Sequence, residues 1–247
     1  MLFMFRKGLF FICLAVISQL ATAAGLAECL VSPRIGESLE YKVIVKSLFH
    51  GANQTVRVVE SGVYRDRPTL KIQCVLETVG LVKSLTGYRE TEEVILDSEG
   101  LFPWVIRHEI RDKGDIEIEE VIFDYPNGTA IRLYSKNGGP EERTEIPVPG
   151  YVQDGLSLQF FLRENFTPGE NEIYFYSNGK IKRINYQISE IREELKMECG
   201  TFNKYYRVDN PESKITILIA DNPAHYPLVI RKNAKIGEVE AKLIAIN

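Results

Sequence analysis

The stretch "DGLSLQFFLREN", residues 154–165, decides how the rest of the chain is read. Its apolar residues fit two templates. Leu156, Leu158, Phe160 and Leu162 alternate as in a strand, but that register sends Phe161 into water. As a helix, the segment has Asp154 at its start, whose carboxylate can accept from the backbone N–H of Ser157. Pro149 and Gly150 precede it, and "TPGE" closes it after Phe166. We read it as a helix. Its large apolar residues then cover more than half the circumference, which is too wide for a surface helix. Such a helix is buried on more than one side.

What buries it follows from the surrounding period, which is two rather than 3.6. "SLEYKVIVKS" (38–47) begins a strand, and "TVRVVESGVY" (55–64) follows after "HGAN". "TLKIQCVLETV" (69–79) alternates Leu70, Ile72, Cys74 and Leu76 against Lys71, Gln73 and Glu77. "DIEIEEVIFDY" and "TAIRLYSK" are joined at Asn127–Gly128, and "EIYFYSNGKIKRINYQI" turns at Asn178–Gly179, both hairpin signals. "KITILIAD", "PLVIRKN" and "IGEVEAKLIAI" close the chain. The spacing predicts an all-β, mainly antiparallel fold of about a dozen strands. Alternation leaves one face of such a sheet covered and the other wet. The only other helical candidate is "GLVKSLTG" (80–87), so the sheet must curl over on itself. We expect a single curved sheet or unclosed β-barrel with the 154–165 helix packed in its concave face. No linker-like stretch divides residues 24–247, which reads as a single β-rich domain.

The N-terminus addresses the compartment. Arg6 and Lys7 precede an apolar run from Gly8 to Leu20, and Ala21 and Ala23 stand in the A-x-A relation that a signal peptidase reads. Residues 1–23 read as a cleaved secretory signal, the alternative being a retained anchor; the run is short for a membrane span. The mature chain then has no transmembrane segment. Cys29 invites a lipoprotein reading, but Glu28 occupies the position before it that needs a small residue. We expect export to the periplasm of a Gram-negative bacterium, with association to the outer membrane as an option.

Losing Arg6 and Lys7 moves the formal net charge from −4 to −6. An acidic chain without a basic block is a poor partner for nucleic acid. Of four cysteines, Cys29, Cys74 and Cys199 survive cleavage, none in a metal-ligand spacing. A Cys74–Cys199 disulfide is one possibility in an oxidising compartment and three separate buried thiols the other.

The search for catalytic groups finds little. Ser157, Asp221 and His225 could be assembled into a triad on paper, but Ser157 is explained by the helix start and Asp221 by a turn. No G-x-S-x-G elbow is present. His108 and Glu109 are strand neighbours facing opposite sides, so they would not share a metal. The acidic run around 115–120 reads as a solvated strand face, and Trp104 in "LFPWVIR" as core. No cofactor and no metal are expected.

Two segments together resemble a known family. "GYVQDGLSLQFFLREN" resembles the Asp-x-Leu-Ser motif, with its aromatic pair and Leu-Arg, of exported bacterial proteins in the domain of unknown function 3108 family. "ITILIADNPAHYPLVIRKNAKIGEVEAKL" is similar to that family's closing strands, and "GESLEYKV" to its opening one. "ETVGLVKSLTGYRETEEVILDSEGLFPWVI" fits its Gly-bounded helical turn. The likeness runs from about 36 to 247. Leu218 stands where a tryptophan is often found, and "NPAHY" replaces an arginine-rich turn. The resemblance implies an unclosed β-barrel holding a helix, similar to periplasmic lipoprotein carriers that shelter acyl chains.

From these residues the expected function is non-enzymatic binding or carriage of a lipid or other apolar envelope molecule. Leu156, Phe160 and Phe161 would form the gate, with Leu81, Val82 and Leu85 at the rim. The alternative is an envelope structural module whose partners are proteins and which has no ligand cavity. A hydrolase stands third.

Overall fold

The computed structural model describes residues 33–46, 49–234 and 237–247. The expected signal, its cleavage point and Cys29 lie outside the described residues. An antiparallel meander opens the fold: β1 (Ser38–Val45), β2 (Phe49–Tyr64), β3 (Arg67–Thr78), helix α1 (Gly80–Thr86), β4 (Arg89–Asp97), β5 (Pro103–Asp112), β6 (Asp115–Asp124), β7 (Thr129–Lys136) and β8 (Glu142–Pro147). A two-residue strand, β9 (Val152–Gln153), leads into α2 (Ser157–Glu164). The second half holds β10 (Gly169–Ser177), β11 (Lys180–Ile191), β12 (Leu195–Met197), β13 (Gly200–Phe202), β14 (Tyr205–Asn210), β15 (Ile215–Ala220), β16 (Pro227–Ala234) and β17 (Gly237–Ile246).

Fifteen of these strands join one sheet, in the order β8-β7-β6-β5-β4-β3-β2-β1-β17-β16-β15-β14-β11-β10-β9. The chain's last long strand, β17, therefore pairs with its first, Val43 opposite Ala241. Every pairing is antiparallel except β9 with β10. The sheet does not close: β8 and β9 are its two edges. The fold class read from the sequence holds, with seventeen strands among the described residues rather than about a dozen. The surplus comes partly from β9, β12 and β13, of two or three residues each, too short to carry a period. "HGAN" also belongs to β2, which starts at Phe49, rather than to a turn. The turn at Asn178–Gly179 is as expected, with φ of 50° and 72°, the positive pair that a type I′ hairpin requires.

Two of the three groups of buried side chains are bridged by α2. Leu156 and Phe160 join a large group that includes Leu39, Tyr41, Val56, Ile72, Val94 and Val121. Leu162 joins a smaller group of Tyr186, Ile188, Val208, Ile217 and Ile219, with Leu158 and Phe166 packed against it. A helix apolar over most of its circumference is thus buried between the two halves of its own sheet. Trp104 is core, with Phe102 and Tyr125 against it at 5.3 and 5.4 Å.

The Cys74–Cys199 disulfide is not formed; both are free thiols. Cys74 shares the inward face of the sheet with its cross-strand partner Val56. Cys199 sits in the β12–β13 turn, where the neighbouring Glu198 pairs at 3.3 Å with Lys42. Lys42 alternates with the inward Tyr41 and Val43, so it leaves the opposite face. The sheet separates the two sulfurs.

Candidate functional site

Three successive cross-strand rows on the concave face of β2–β7 locate the site. The first is apolar up to β7: Val58, Ile72, Val94, Ile106, Val121 and then Arg132. One ladder step on, the row is Val56, Cys74, Glu92, His108, Glu119 and Tyr134. The next is Gln54, Leu76, Glu90, Ile110, Glu117 and Lys136. Residues opposite one another on antiparallel strands share a face, so an acidic strip lies inside the concavity beside an apolar floor. The run at 115–120 is therefore not a solvated face throughout. Glu117 and Glu119 point inward, while Ile118 is 48% exposed.

The strip's charges are set by its neighbours. Glu90 accepts from the Tyr88 hydroxyl at 2.5 Å and pairs with His108 Nε2 at 2.8 Å. Burial works against its charge, but these bonds outweigh it and hold the carboxyl below its usual range. His108 is raised for the reciprocal reason: burial opposes its charge and the Glu90 carboxylate restores it. Arg132 answers Glu119 in the same way and lies 4.6 Å over the Tyr134 ring. Glu92 differs. Burial first, then the Asp154 carboxylate that it faces, push its pKa well above the ordinary value. Two glutamates two residues apart are thus shifted in opposite directions.

Asp154 connects this strip to α2. Its Oδ1 accepts from the Ser157 backbone N–H at 2.9 Å, and its own N–H donates to Ser157 Oγ at 2.9 Å. The expected contact at the helix start is present and reciprocal. Asp154 Oδ2 is buried and has no fixed donor, and Asp154 faces the carboxyl of Glu92, which burial and Asp154 together push toward its neutral form. At the other end of α2, Arg163 is 2% exposed and grips Glu37 through two bonds, at 2.5 and 3.1 Å. Its Nε donates to the Ala224 carbonyl at 2.9 Å, and its own carbonyl accepts from His225 Nδ1 at 2.8 Å. The helix is apolar in the middle and pinned at both ends by buried polar contacts.

The residues expected as a gate separate into two places. Leu156 and Phe160 are buried and Phe161 is half-buried against the main core. Leu81 and Leu85 are 83% and 77% exposed on α1, with Val82 half-buried. Helix α1 lies at the end of the β3–β4 pair, just past Leu76 and Glu90. The two leucines sit one helical turn apart on the same side. Ser157, Asp221 and His225 are not brought together as a triad: Asp221 pairs with Lys204 at 3.2 Å, and the others serve α2 as described. Cys74 accepts from the Gln54 amide at 3.3 Å, and burial pushes its thiol far up. It is not an activated nucleophile.

Two spaces remain beside α2. One, about 70 Å³, is apolar and lies between Leu158 and Leu162 and the side chains of Phe175, Ile184, Val208 and Ile217. The other, about 180 Å³, lies at the helix start among Gln54, Cys74, Leu76, Glu92, Leu156 and Gln159. A further cleft, about 950 Å³, is open and bordered by Glu170, Arg207, Asp209 and Lys214, none of them part of the strip. Among the described residues no three His, Cys, Asp or Glu side chains are grouped to hold a metal ion. None of the described helices is long and apolar enough to cross a membrane.

One solved structure shares this architecture. A β-barrel-like protein of the domain of unknown function DUF1849 from Brucella abortus superposes with a TM-score of 0.53 at 8% identity, over 87% of this chain and 98% of that one. Weaker likenesses link it to a DUF1089 family protein from Pseudomonas aeruginosa (TM-score 0.39, 9% identity, 72% of this chain and 88% of that one). Another is to a candidate exported protein with a YmcC-like fold from Bacteroides fragilis (TM-score 0.32, 10% identity, 87% and 97%). A search of curated proteins gives no match. The model of the family described as "Protein of unknown function (DUF3108)" matches residues 40–244, nearly the whole of the sheet just described, and the chain belongs to that family.

Proposed function

We propose that this is an exported, non-enzymatic periplasmic protein that takes up a lipid or other apolar envelope molecule in its half-barrel by displacing α2. The observation that carries the reading is the way α2 is held. Its apolar middle covers surface from both core groups, and its two ends are latched by polar contacts rather than merged into the sheet. The apolar space left beside its Leu158 and Leu162, about 70 Å³, equals roughly two water volumes. An acyl chain therefore enters only where α2 leaves.

The energies allow the exchange. Undocking Leu156, Phe160 and Leu162 costs roughly 1.5–3 kcal/mol for each side chain, and every methylene of the incoming chain returns about 0.8 kcal/mol. A long acyl chain repays the cost and a short one does not. Leu81 and Leu85 on α1, exposed at one end of the sheet, give an apolar contact point for the donor or acceptor of such a molecule. That the inward Cys74 is a neutral thiol and Ser157 is committed to the helix start supports binding over catalysis.

Protein purified from its native compartment without detergent should carry cargo. Native mass spectrometry followed by organic extraction is expected to find one apolar molecule per chain. A clean apo mass, together with no uptake of a long-chain fatty-acid probe, would contradict the proposal. The alternative, an envelope interaction module, is favoured by the completeness with which α2 already fills the concavity.

A further inference from the structure

The pocket at the start of α2 is lined by a residue, Gln159, with a buried hydrogen-bond acceptor that nothing among the described residues uses. Gln159 is 7% exposed; its Nε2 donates to the Gly155 carbonyl at 3.1 Å, and its buried Oε1 has no partner. Gln54 likewise spends its amide donor, on Cys74. The carboxyls of Glu92 and Glu90 form part of the wall, and Asp154, whose buried Oδ2 has no fixed donor, faces Glu92. No Lys or Arg lines the space. Leu76 and Leu156 supply an apolar flank.

We propose that this pocket binds the primary ammonium group of a small aliphatic amine. An ammonium offers three donors and no acceptor, which matches a wall that holds Gln159 and the carboxyls of Glu92 and Glu90, with Asp154 facing Glu92. A divalent metal fits less well, because no three His, Cys, Asp or Glu side chains among the described residues converge. An anion would find no positive side chain in the wall. A volume of about 180 Å³ is roughly six waters, and below the roughly 300 Å³ at which sites for larger ligands begin. A head group with a short stem fits, and α2 stays docked around it.

Binding exchanges one positive charge for another. In the empty pocket Glu92 keeps its proton, faced by Asp154 from the α2 start, by Glu90 on its own strand and by Glu119 from β6. Glu90 is already answered by His108 and Glu119 by Arg132, and Cys74 is a neutral thiol. When the ammonium enters, Glu92 gives its proton to solvent and becomes the ligand's carboxylate partner. The net charge of the pocket does not change.

The test is calorimetric titration of the folded protein with n-propylammonium, and with uncharged 1-propanol as control, in two buffers of different ionisation heat. n-Propylammonium is expected to bind at about millimolar concentration, to release close to one proton, and to bind more tightly as pH rises toward the Glu92 pKa. 1-Propanol is expected not to bind. Glu92→Gln, which keeps the neutral shape of the empty pocket, should abolish the proton release and weaken binding by roughly tenfold or more. Gln159→Met should weaken it without changing the proton count. The absence of saturable binding, or binding with no proton released and unchanged in Glu92→Gln, overturns the proposal. Because the site is formed with α2 in place, either result leaves the displacement of α2 by an apolar molecule to be judged separately.

Discussion

Arg163 shows what single side chains do here. It is buried, its guanidinium is matched by both oxygens of Glu37, and its partner lies 126 residues away in sequence. Removing one member of such a pair leaves the other charged and buried. Arg163→Ala should therefore destabilise the fold by about 3–5 kcal/mol in chemical denaturation. The double replacement Glu37→Leu/Arg163→Met should cost much less than the sum of the singles. A similar loss in both would mean that the pair is not what holds this end of α2.

The pKa values of Glu90 and Glu92 are shifted in opposite directions. Glu90 is depressed, so its stabilisation is present above the ordinary carboxylate range and lost as pH falls through its lowered value. His108 is raised, so its share is complete below about 6.5 and lost as pH rises through its raised value. Glu92 is raised as well, and its neutral form is the stable one. Its contribution is whole below about pH 4.3 and drains away as pH rises. Glu92→Gln should gain stability relative to the parent as pH rises from 4 to 9. A pH-independent difference would refute the assignment of a retained proton.

At the scale of the element, α2 was the most legible part of the chain and the strip the least. The breadth of apolar residues in 154–165 implied burial on two sides, and Leu156, Phe160 and Leu162 are at most 2% exposed. Phe160→Ala should cost about 3–5 kcal/mol, read as a shift in the denaturation midpoint; a smaller loss with an unchanged slope would place the ring outside the core. The acidic strip could not be read in the same way. Period two says that neighbours face opposite sides, but not which set faces in. In 115–120 both sets offered arguments, because Ile116 and Ile118 alternate with Glu117 and Glu119. The answer comes from pairing: His108 opposite Glu119 on one side and Glu92 on the other. Those registers depend on turn geometry far along the chain. The exposure of Leu81 and Leu85 was equally hidden, since a seven-residue helix has no period long enough to show which side packs.

For the whole molecule, the curled sheet with β17 returning to β1 creates one concavity with two environments. Its floor is apolar and filled by α2, and its far end is acidic and only partly filled. The alternating segments announced the sheet, but its closure on the helix is a property of twist and pairing order rather than of any one segment. The exposed leucines of α1 belong to this scale as well. Leu81→Ser/Leu85→Ser should leave the denaturation midpoint within about 0.5 kcal/mol of the parent, while slowing transfer of a fatty-acid probe to acceptor vesicles. Unchanged transfer would remove α1 from the account.

The central claim is that an apolar ligand and α2 compete for the same concave surface. Hydrogen exchange of the backbone amides of Ser157–Glu164, with and without oleate, tests it most directly. Displacement predicts that these amides lose protection when oleate is added, while those of β3, β4 and β17 keep theirs. If oleate binds and α2 keeps or gains its protection, the helix is a fixed part of the core and the ligand lies elsewhere.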